Sequence, residues 1–193
     1  MTVTRIVSIA FLLLALFLGY KLYESIYSKI ELEERIEKVE DRVKRKLEMI
    51  RDAEVAYRAV HGKYTSDWDK LINFVDSGKI FIVDKIEHII TLDYGADSVW
   101  FEYDTIGSVN VKDSLFNERK YPNFNSERLP YIPGTENKKF ELFADEIERG
   151  GVTVDVFEAK DVDPINPARR KNENENALAI GSRTEVTTRG NWQ

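Results

Sequence analysis

The sequence predicts an α+β fold, in which a long N-terminal transmembrane and coiled-coil helix precedes a small antiparallel β-sheet domain with one short helix. An apolar run from Ile6 to Tyr20 continues without a proline into a charged stretch of helical periodicity that ends near Val60. Patterns typical of strands begin only after Lys79. Because helices come first and strands follow without β-α-β alternation, the sheet is predicted to be antiparallel. The expected parts are an anchor over 1–23, an amphipathic or coiled-coil helix over 24–60 and a head over 61–193.

The apolar run has the length of a short membrane span. It carries no charged side chain before Lys21, whose ammonium can reach the headgroups from a helix end. A helix that rises about 1.5 Å per residue crosses the hydrocarbon core in roughly 17 to 25 residues. The side chains predicted to contact lipid are Ile6, Phe11, Leu12, Leu13, Leu14, Leu16, Phe17, Leu18 and Tyr20.

A cleaved signal peptide is the alternative to an anchor, since Arg5 followed by apolar residues imitates its first two regions. The exit of the run, from Leu16 to Lys21, lacks the A-x-A-like arrangement of small residues found at a cleavage site, which favours an uncleaved anchor. The count of Lys and Arg near the span slightly favours a cytoplasmic head, whereas an anchor this close to the N-terminus favours a head outside. We predict a single-pass protein of a bacterial inner membrane with an extracytoplasmic head.

An apolar stripe follows the charged part of the helix. Its residues recur at steps of three or four, with a mean near the heptad value of about 3.5. From Ile50 to Val60 the stripe is expected to pack on the chain's own sheet. Nearer the membrane a partner helix is expected instead, either from a second copy or from another helical membrane subunit. The predicted interface residues are Leu32, Ile36, Val39, Val43 and Leu47.

Turn residues divide the head into elements. Gly62 is expected to end the long helix, a capping box from Ser66 to Asp69 to begin a second helix, and Gly78 to close it. Five to seven strands follow. They are predicted over 79–92 as one long strand or a broken pair, over 98–105, more weakly over 109–116, on both sides of a turn at 150–151, and as a last strand or hairpin over 178–192.

The composition excludes several chemistries. A net charge of -6 argues against nucleic-acid binding, and with Cys 0 the chain has no thiolate ligand or cysteine nucleophile. His61 and His88 lack a second ligand at the usual metal-site spacing, and no phosphate-binding or nucleophile-elbow motif occurs. We therefore predict no catalytic residue, metal or cofactor, and we identify no small-molecule substrate.

The stretch from Tyr57 to Leu71 resembles the end of the long helix in type IV pilin-like proteins and pseudopilins. Gly62, Lys63 and Tyr64 stand where that family has a Gly-(Lys/Arg)-Tyr turn, and Leu71 lies in a second short element. The resemblance implies an N-terminal membrane helix that carries an α+β head. The Gly-Phe processing site of the family does not precede the apolar run, and the charged heptads differ from a pilin spine.

These patterns indicate a non-enzymatic structural or assembly subunit of an envelope machine of the secretion, pilus-like or division type, which oligomerises through its helix. The alternative is a bitopic sensor or ligand-binding domain whose helix transmits a signal. The aromatic loop from Tyr121 to Tyr131 could then line a pocket.

Overall fold

The computed structural model describes residues 2–92, 97–171 and 176–193. The chain forms two compact units, Met1–Arg42 and Val43–Gln193. Helix α1, Thr2–His61, provides the first unit and the beginning of the second. The α+β class, the long N-terminal helix and the antiparallel pairing of the strands are confirmed.

The first unit is helical throughout its described residues. Within the described part of the chain, no helix is long and apolar enough to cross a membrane. Ile6, the first of the residues predicted to contact lipid, has a side chain outside the described residues, as do Ile9 and Ala10.

In the second unit, two glycines end helices as predicted. Gly62 takes a positive φ of 80° and donates its N–H to the Arg58 carbonyl at 2.8 Å, which ends α1. Helix α2, Trp68–Ser77, ends before Gly78. Its cap is one residue later than the predicted Ser66, because the Asp67 carboxylate accepts the Asp69 N–H at 2.9 Å.

Strands β1, Lys79–Thr91, and β2, Asp97–Asn110, form a two-stranded antiparallel hairpin. The sequence predicts a turn over 93–97; its residues 93–96 lie outside the described residues, and Asp97 begins β2. The weak strand predicted over 109–116 is wrong beyond Asn110, because helix α3 occupies Val111–Leu115. The buried Val111 donates its N–H to the Gly78 carbonyl at 3.0 Å, and Asp113 lies in the first turn of the helix.

Strands β3, Glu141–Arg149, β4, Val152–Lys160, and β5, Ala179–Gly181, form the second sheet in the order β3-β4-β5. The turn predicted at Gly150 and Gly151 is confirmed, with positive φ at both residues. The predicted terminal hairpin is reduced to β5 and one bridge between Ile180 and Gly190. The five strands of the described residues therefore form two separate sheets.

The core of the second unit collects apolar side chains from distant parts of the sequence. The end of α1 contributes Leu47 and Ile50, and α2 contributes Leu71 and Val75. Further buried side chains come from the loop before β3, from the sheet and from the segment that leads into β5; they include Leu129, Phe140, Phe157, Leu178 and Ile180. Phe74 is also buried, and Trp68 donates its indole N–H to the Phe140 carbonyl at 3.3 Å. The corner between α1 and α2 is thus fixed to the core.

Candidate interaction surfaces

The described apolar side chains of α1 between Phe11 and Tyr20 are exposed around the whole helix. From Phe11 to Tyr20 the large apolar side chains keep between 50% and 66% of their surface. They point in every direction around the axis, since the run of apolar residues is longer than two turns. This surface contains the described members of the predicted anchor: Phe11, Leu12, Leu13, Leu14, Leu16, Phe17, Leu18 and Tyr20.

The five residues of the predicted partner interface fall in different surroundings. Leu32 is 53% exposed and Ile36 is half-buried. Val39, Val43 and Leu47 are buried, with 5%, 2% and 0% of their surface remaining. Val43 and Leu47 belong to the second unit and its core. They leave almost no area for a partner helix, so the structure differs from the prediction there. Leu32 and Ile36 retain free apolar surface.

The hairpin of β1 and β2 carries most of the exposed large apolar side chains among the described residues of the second unit, and the sequence patterns did not identify this surface. Its exposed side chains retain between 37% and 65% of their area. They are Phe81, Ile82, Val83, Ile86, Ile89, Ile90, Val99, Trp100, Phe101, Tyr103, Ile106 and Val109. A signal was present, since β1 lacks the clean apolar–polar alternation of a strand with one face on a core.

Directly opposite residues of the two strands share a face of the hairpin. With the observed register, both faces contain apolar and ionisable side chains. On one face Lys85 lies over the Phe101 ring, 3.5 Å from its centre. On the other face the His88 ring stacks on Trp100 at 4.1 Å between centres, and its Nε2 lies 2.9 Å from a Glu102 carboxylate oxygen. Both faces therefore carry ionisable side chains at defined positions among the apolar ones.

A carboxyl group lies inside the core at Glu54. One of its oxygens accepts the Thr65 N–H at 3.1 Å, while Oε1 has no hydrogen-bond partner within the described residues. Burial raises the pKa of Glu54 to about 8, against the opposing effect of the Thr65 hydrogen bond. The side chain is therefore neutral at pH 7. Its position within the buried stripe that contains Ile50 and Ala53 was a signal available from the sequence.

A shallow basic cavity lies beside α1 in the second unit. It is lined by Lys46, Arg128, Tyr131 and Lys139, among other residues. The Lys46 ammonium donates to the Arg128 carbonyl, and burial together with the Arg128 charge lowers its pKa to about 8. Tyr121 lines a different cavity, so the two ends of the predicted aromatic loop do not form one pocket.

The described residues contain no group of three or more His, Cys, Asp or Glu side chains that could hold a metal ion. Asp163 forms ion pairs with Lys138 at 3.0 Å and Arg170 at 3.6 Å. Its carboxylate is thus used within the fold.

Comparison with protein-family models, with curated proteins and with solved structures finds no match to this chain.

Proposed function

We propose that this chain is a membrane-anchored, non-enzymatic structural or assembly subunit of a multi-protein envelope machine, of the secretion, pilus-like or division type. The observation that carries the proposal is the apolar surface around the whole circumference of α1 between Phe11 and Tyr20. Apolar area costs about 25 cal/mol per Å² when left in water. A helix that lies flat on a membrane keeps one polar face. A stretch apolar on all sides fits a helix surrounded by lipid.

The assembly role rests on the surfaces that remain outside this stretch. Leu32 and Ile36 offer an apolar stripe on α1, and the hairpin offers a second apolar surface on the other unit. Contiguous apolar surfaces of this size on soluble domains mark contact sites for proteins or membranes. The partners proposed for α1 are second copies or other helical membrane subunits. The proposed location is the inner membrane of a bacterium, with an extracytoplasmic head.

Alkaline extraction of membranes tests the anchor. The wild-type chain is expected to remain in the membrane pellet at high pH and high salt. The double variant Leu14→Arg/Leu18→Arg is expected to become extractable, because each Arg near the centre of a span costs about 2.5–3.5 kcal/mol on insertion scales. The control Leu32→Arg/Val55→Arg adds the same charges at exposed positions outside the run and should stay in the pellet. Release of the wild-type chain by alkali alone would contradict the anchor.

A second candidate function is a bitopic sensor that binds an anionic ligand, and the basic cavity supports it. Lys46, Arg128 and Lys139 place three cations around one depression. A ligand whose concentration is one hundred times its dissociation constant stabilises the fold by about 2.7 kcal/mol. Thermal unfolding with inorganic phosphate and with dicarboxylates should then show a rise in Tm that Lys139→Ala removes. An equal rise in the wild type and the variant would exclude this cavity as the binding site.

A further inference from the structure

Within the part of the chain that the structure describes, β1 pairs with β2 alone, and its open second edge points to a partner. An isolated two-stranded hairpin is marginally stable in water, and a third strand or more is needed for independent stability. β1 is 13 residues long and contains no proline. The irregularity in the hairpin ladder lies where Ile82 and Val83 pair with Gly107 and Thr105, so the extra residue, Ile106, belongs to β2. The outer edge of β1 is thus a long, regular strand edge of the kind that adds a further strand.

We infer that β1 pairs in antiparallel orientation with β1 of a second copy of this chain, so that two hairpins form one four-stranded sheet. The inference extends the proposed assembly role by naming one partner and its surface. Its register follows from backbone geometry and from the charges along β1.

Backbone geometry limits the pairing to a few registers. In an antiparallel ladder, two opposite residues either both exchange hydrogen bonds or both face away from each other. The two copies present the same strand, and alternate residues of that strand face the open edge. A two-fold pairing of β1 with itself must therefore place one residue directly opposite its own copy. The central positions available for this axis are Asp84, Lys85, Ile86, Glu87 and His88.

The charges select one of these axes. An axis at Asp84, Lys85 or Glu87 would bring two identical charges face to face, and like charges directly opposite each other destabilise a sheet. An axis at His88 would place Glu87 opposite Ile89 and Lys85 opposite Thr91, so that it forms no contact between Lys85 and Glu87. An axis at Ile86 instead places Lys85 opposite Glu87 of the second copy and Asp84 opposite His88 of the second copy. By the two-fold symmetry each pair occurs twice. This register therefore makes two contacts between Lys85 and Glu87, and two contacts between an Asp84 carboxylate and a His88 imidazole, around an apolar centre.

The apolar residues of β1 fit the same register. Val83 comes to lie opposite Ile89 of the second copy, and Ile82 opposite Ile90 of the second copy. All four side chains are at least 46% exposed in the single chain and can lose area on pairing. Opposite pairs of β-branched residues are among those that stabilise sheets.

The edge of β2 lacks this self-complementarity. Its charged side chains are Asp97, Glu102 and Asp104, all acidic, and the bulge at Ile106 interrupts its regularity. No pairing of β2 with its own copy can place a cation opposite a carboxylate. The two-fold contact through β1 also closes on itself, whereas β1 of one chain on β2 of the next would continue as an open fibre.

Cysteine cross-linking of the full chain in non-ionic detergent tests the register. The natural chain contains no cysteine, so an introduced cysteine is the only thiol in its chain. Under mild oxidation Ile86→Cys is expected to give a covalent dimer. Ile82→Cys and Ile90→Cys should each give little dimer alone and a mixed dimer when combined, because residue 82 faces residue 90 of the other copy. Opposed Cα atoms lie within disulfide range, whereas those displaced along the strand exceed about 7 Å, so we expect a yield roughly fivefold or more higher for Ile86→Cys than for Ile90→Cys alone.

A charge reversal provides the second measurement, again read as the cross-linking yield of Ile86→Cys. Lys85→Glu and Glu87→Lys should each lower the yield, because each places two like charges opposite each other twice. The double exchange Lys85→Glu/Glu87→Lys should restore it, since the opposite-charge pairs return with their signs exchanged. Equal yields from Ile86→Cys and Ile90→Cys, or failure of the double exchange to restore dimer, would overturn the pairing. Neither result bears on the apolar run of α1, so the anchor proposal can stand or fall separately.

Discussion

At the residue scale, Glu54 gives the fold a pH dependence of known sign. Its carboxyl releases a proton near pH 4.5 when unperturbed and near pH 8 in the folded chain. Between these values the folded state binds more protons than the unfolded state, so the free energy of unfolding contributed by this group falls as pH rises. The decrease is on the order of 5 kcal/mol across the window and ends above pH 8. The pKa of Lys46 is lowered from 10.5 to about 8, so this group changes the free energy of unfolding only in the separate pH range between those two values.

Glu54→Gln is therefore expected to flatten the stability profile between pH 5 and 8, measured by urea unfolding at fixed ionic strength. The amide keeps an acceptor for the Thr65 N–H, although its buried NH₂ group costs about 1–3 kcal/mol if it finds no partner. Glu37→Gln makes the same chemical change at an exposed position of α1 and should leave the slope unchanged. A wild-type slope retained in Glu54→Gln would assign the pH dependence to other groups.

Gly181 is required at its position for two reasons, its positive φ and its close contact with the Phe157 carbonyl. Comparison with Gly151, which has only the positive φ, separates the two effects. Gly181 and Gly151 share a positive φ, 80° and 79°, but a Cβ at Gly181 would lie 2.1 Å from the Phe157 carbonyl oxygen, whereas one at Gly151 meets nothing within 4 Å. Gly151→Ala should cost about 1 kcal/mol from backbone strain. Gly181→Ala should cost that amount and at least about 2 kcal/mol more from the clash. Chemical denaturation of both variants measures the difference, and equal costs would show that the strand pair moves apart easily.

At the element scale, the apolar stripe of α1 changes its environment along its length. Leu47 has 0% of its surface exposed and Leu32 has 53%. Leu47→Ala should lower the free energy of unfolding by about 2–5 kcal/mol, as for other core leucines. Leu32→Ala should change it by less than about 0.5 kcal/mol at low concentration.

Measuring the Tm of Leu32→Ala and Leu47→Ala at several protein concentrations shows whether Leu32 lies on a free surface or in an interface between copies. If α1 associates with a second copy, the effect of Leu32→Ala on Tm grows with protein concentration, because partner binding stabilises by mass action. The effect of Leu47→Ala should stay constant. An effect of Leu32→Ala that is absent at every concentration would remove this residue from the proposed interface.

The elements that sequence reasoning identified correctly depend on local chemistry. Gly62 and Gly78 end their helices through backbone conformations and hydrogen bonds within one turn, and the glycine pair at 150–151 turns the chain between two strands. The helix at Val111–Leu115 was missed because its β-branched first residue is buried by tertiary contacts that override local propensity. Strand pairing is non-local, so the separation into two sheets could not be read from the strands themselves.

The candidate surfaces were predictable to different degrees for the same reason. The run from Phe11 to Tyr20 follows from composition alone. Composition and spacing do not show where the predicted partner interface on α1 ends. Val43 and Leu47 repeat with the same heptad spacing as Leu32 and Ile36, and only the packing of the second unit distinguishes the two pairs. The self-complementary edge of β1 needs the observed hairpin register, which places the bulge on β2 and leaves β1 regular.

At the scale of the whole molecule, the side of the membrane that holds the head decides which partners it can meet. Because the natural chain contains no cysteine, a thiol reagent will label only a cysteine that is introduced. Thr153→Cys, at an exposed position of β4, should react in intact cells with a maleimide that enters the periplasm but does not cross the inner membrane. This expectation follows from the proposed extracytoplasmic head. Labelling only after cell lysis would place the head in the cytoplasm.

The bridge between Ile180 and Gly190 has a consequence for the order of events during synthesis. Asn191 donates its backbone N–H to the Ala179 carbonyl at 3.0 Å and its side-chain amide to the Ala177 carbonyl at 2.7 Å, so β5 gains its second neighbour from residues translated after it. Leu47 and Ile50 leave the ribosome long before their core companions Leu178 and Ile180. At about 5–20 residues per second, the apolar stripe of α1 waits several seconds without its permanent cover. Throughout that interval the nascent chain presents this stripe together with the apolar run from Phe11 to Tyr20, and both are open to chaperones and to the targeting machinery before the second unit can close.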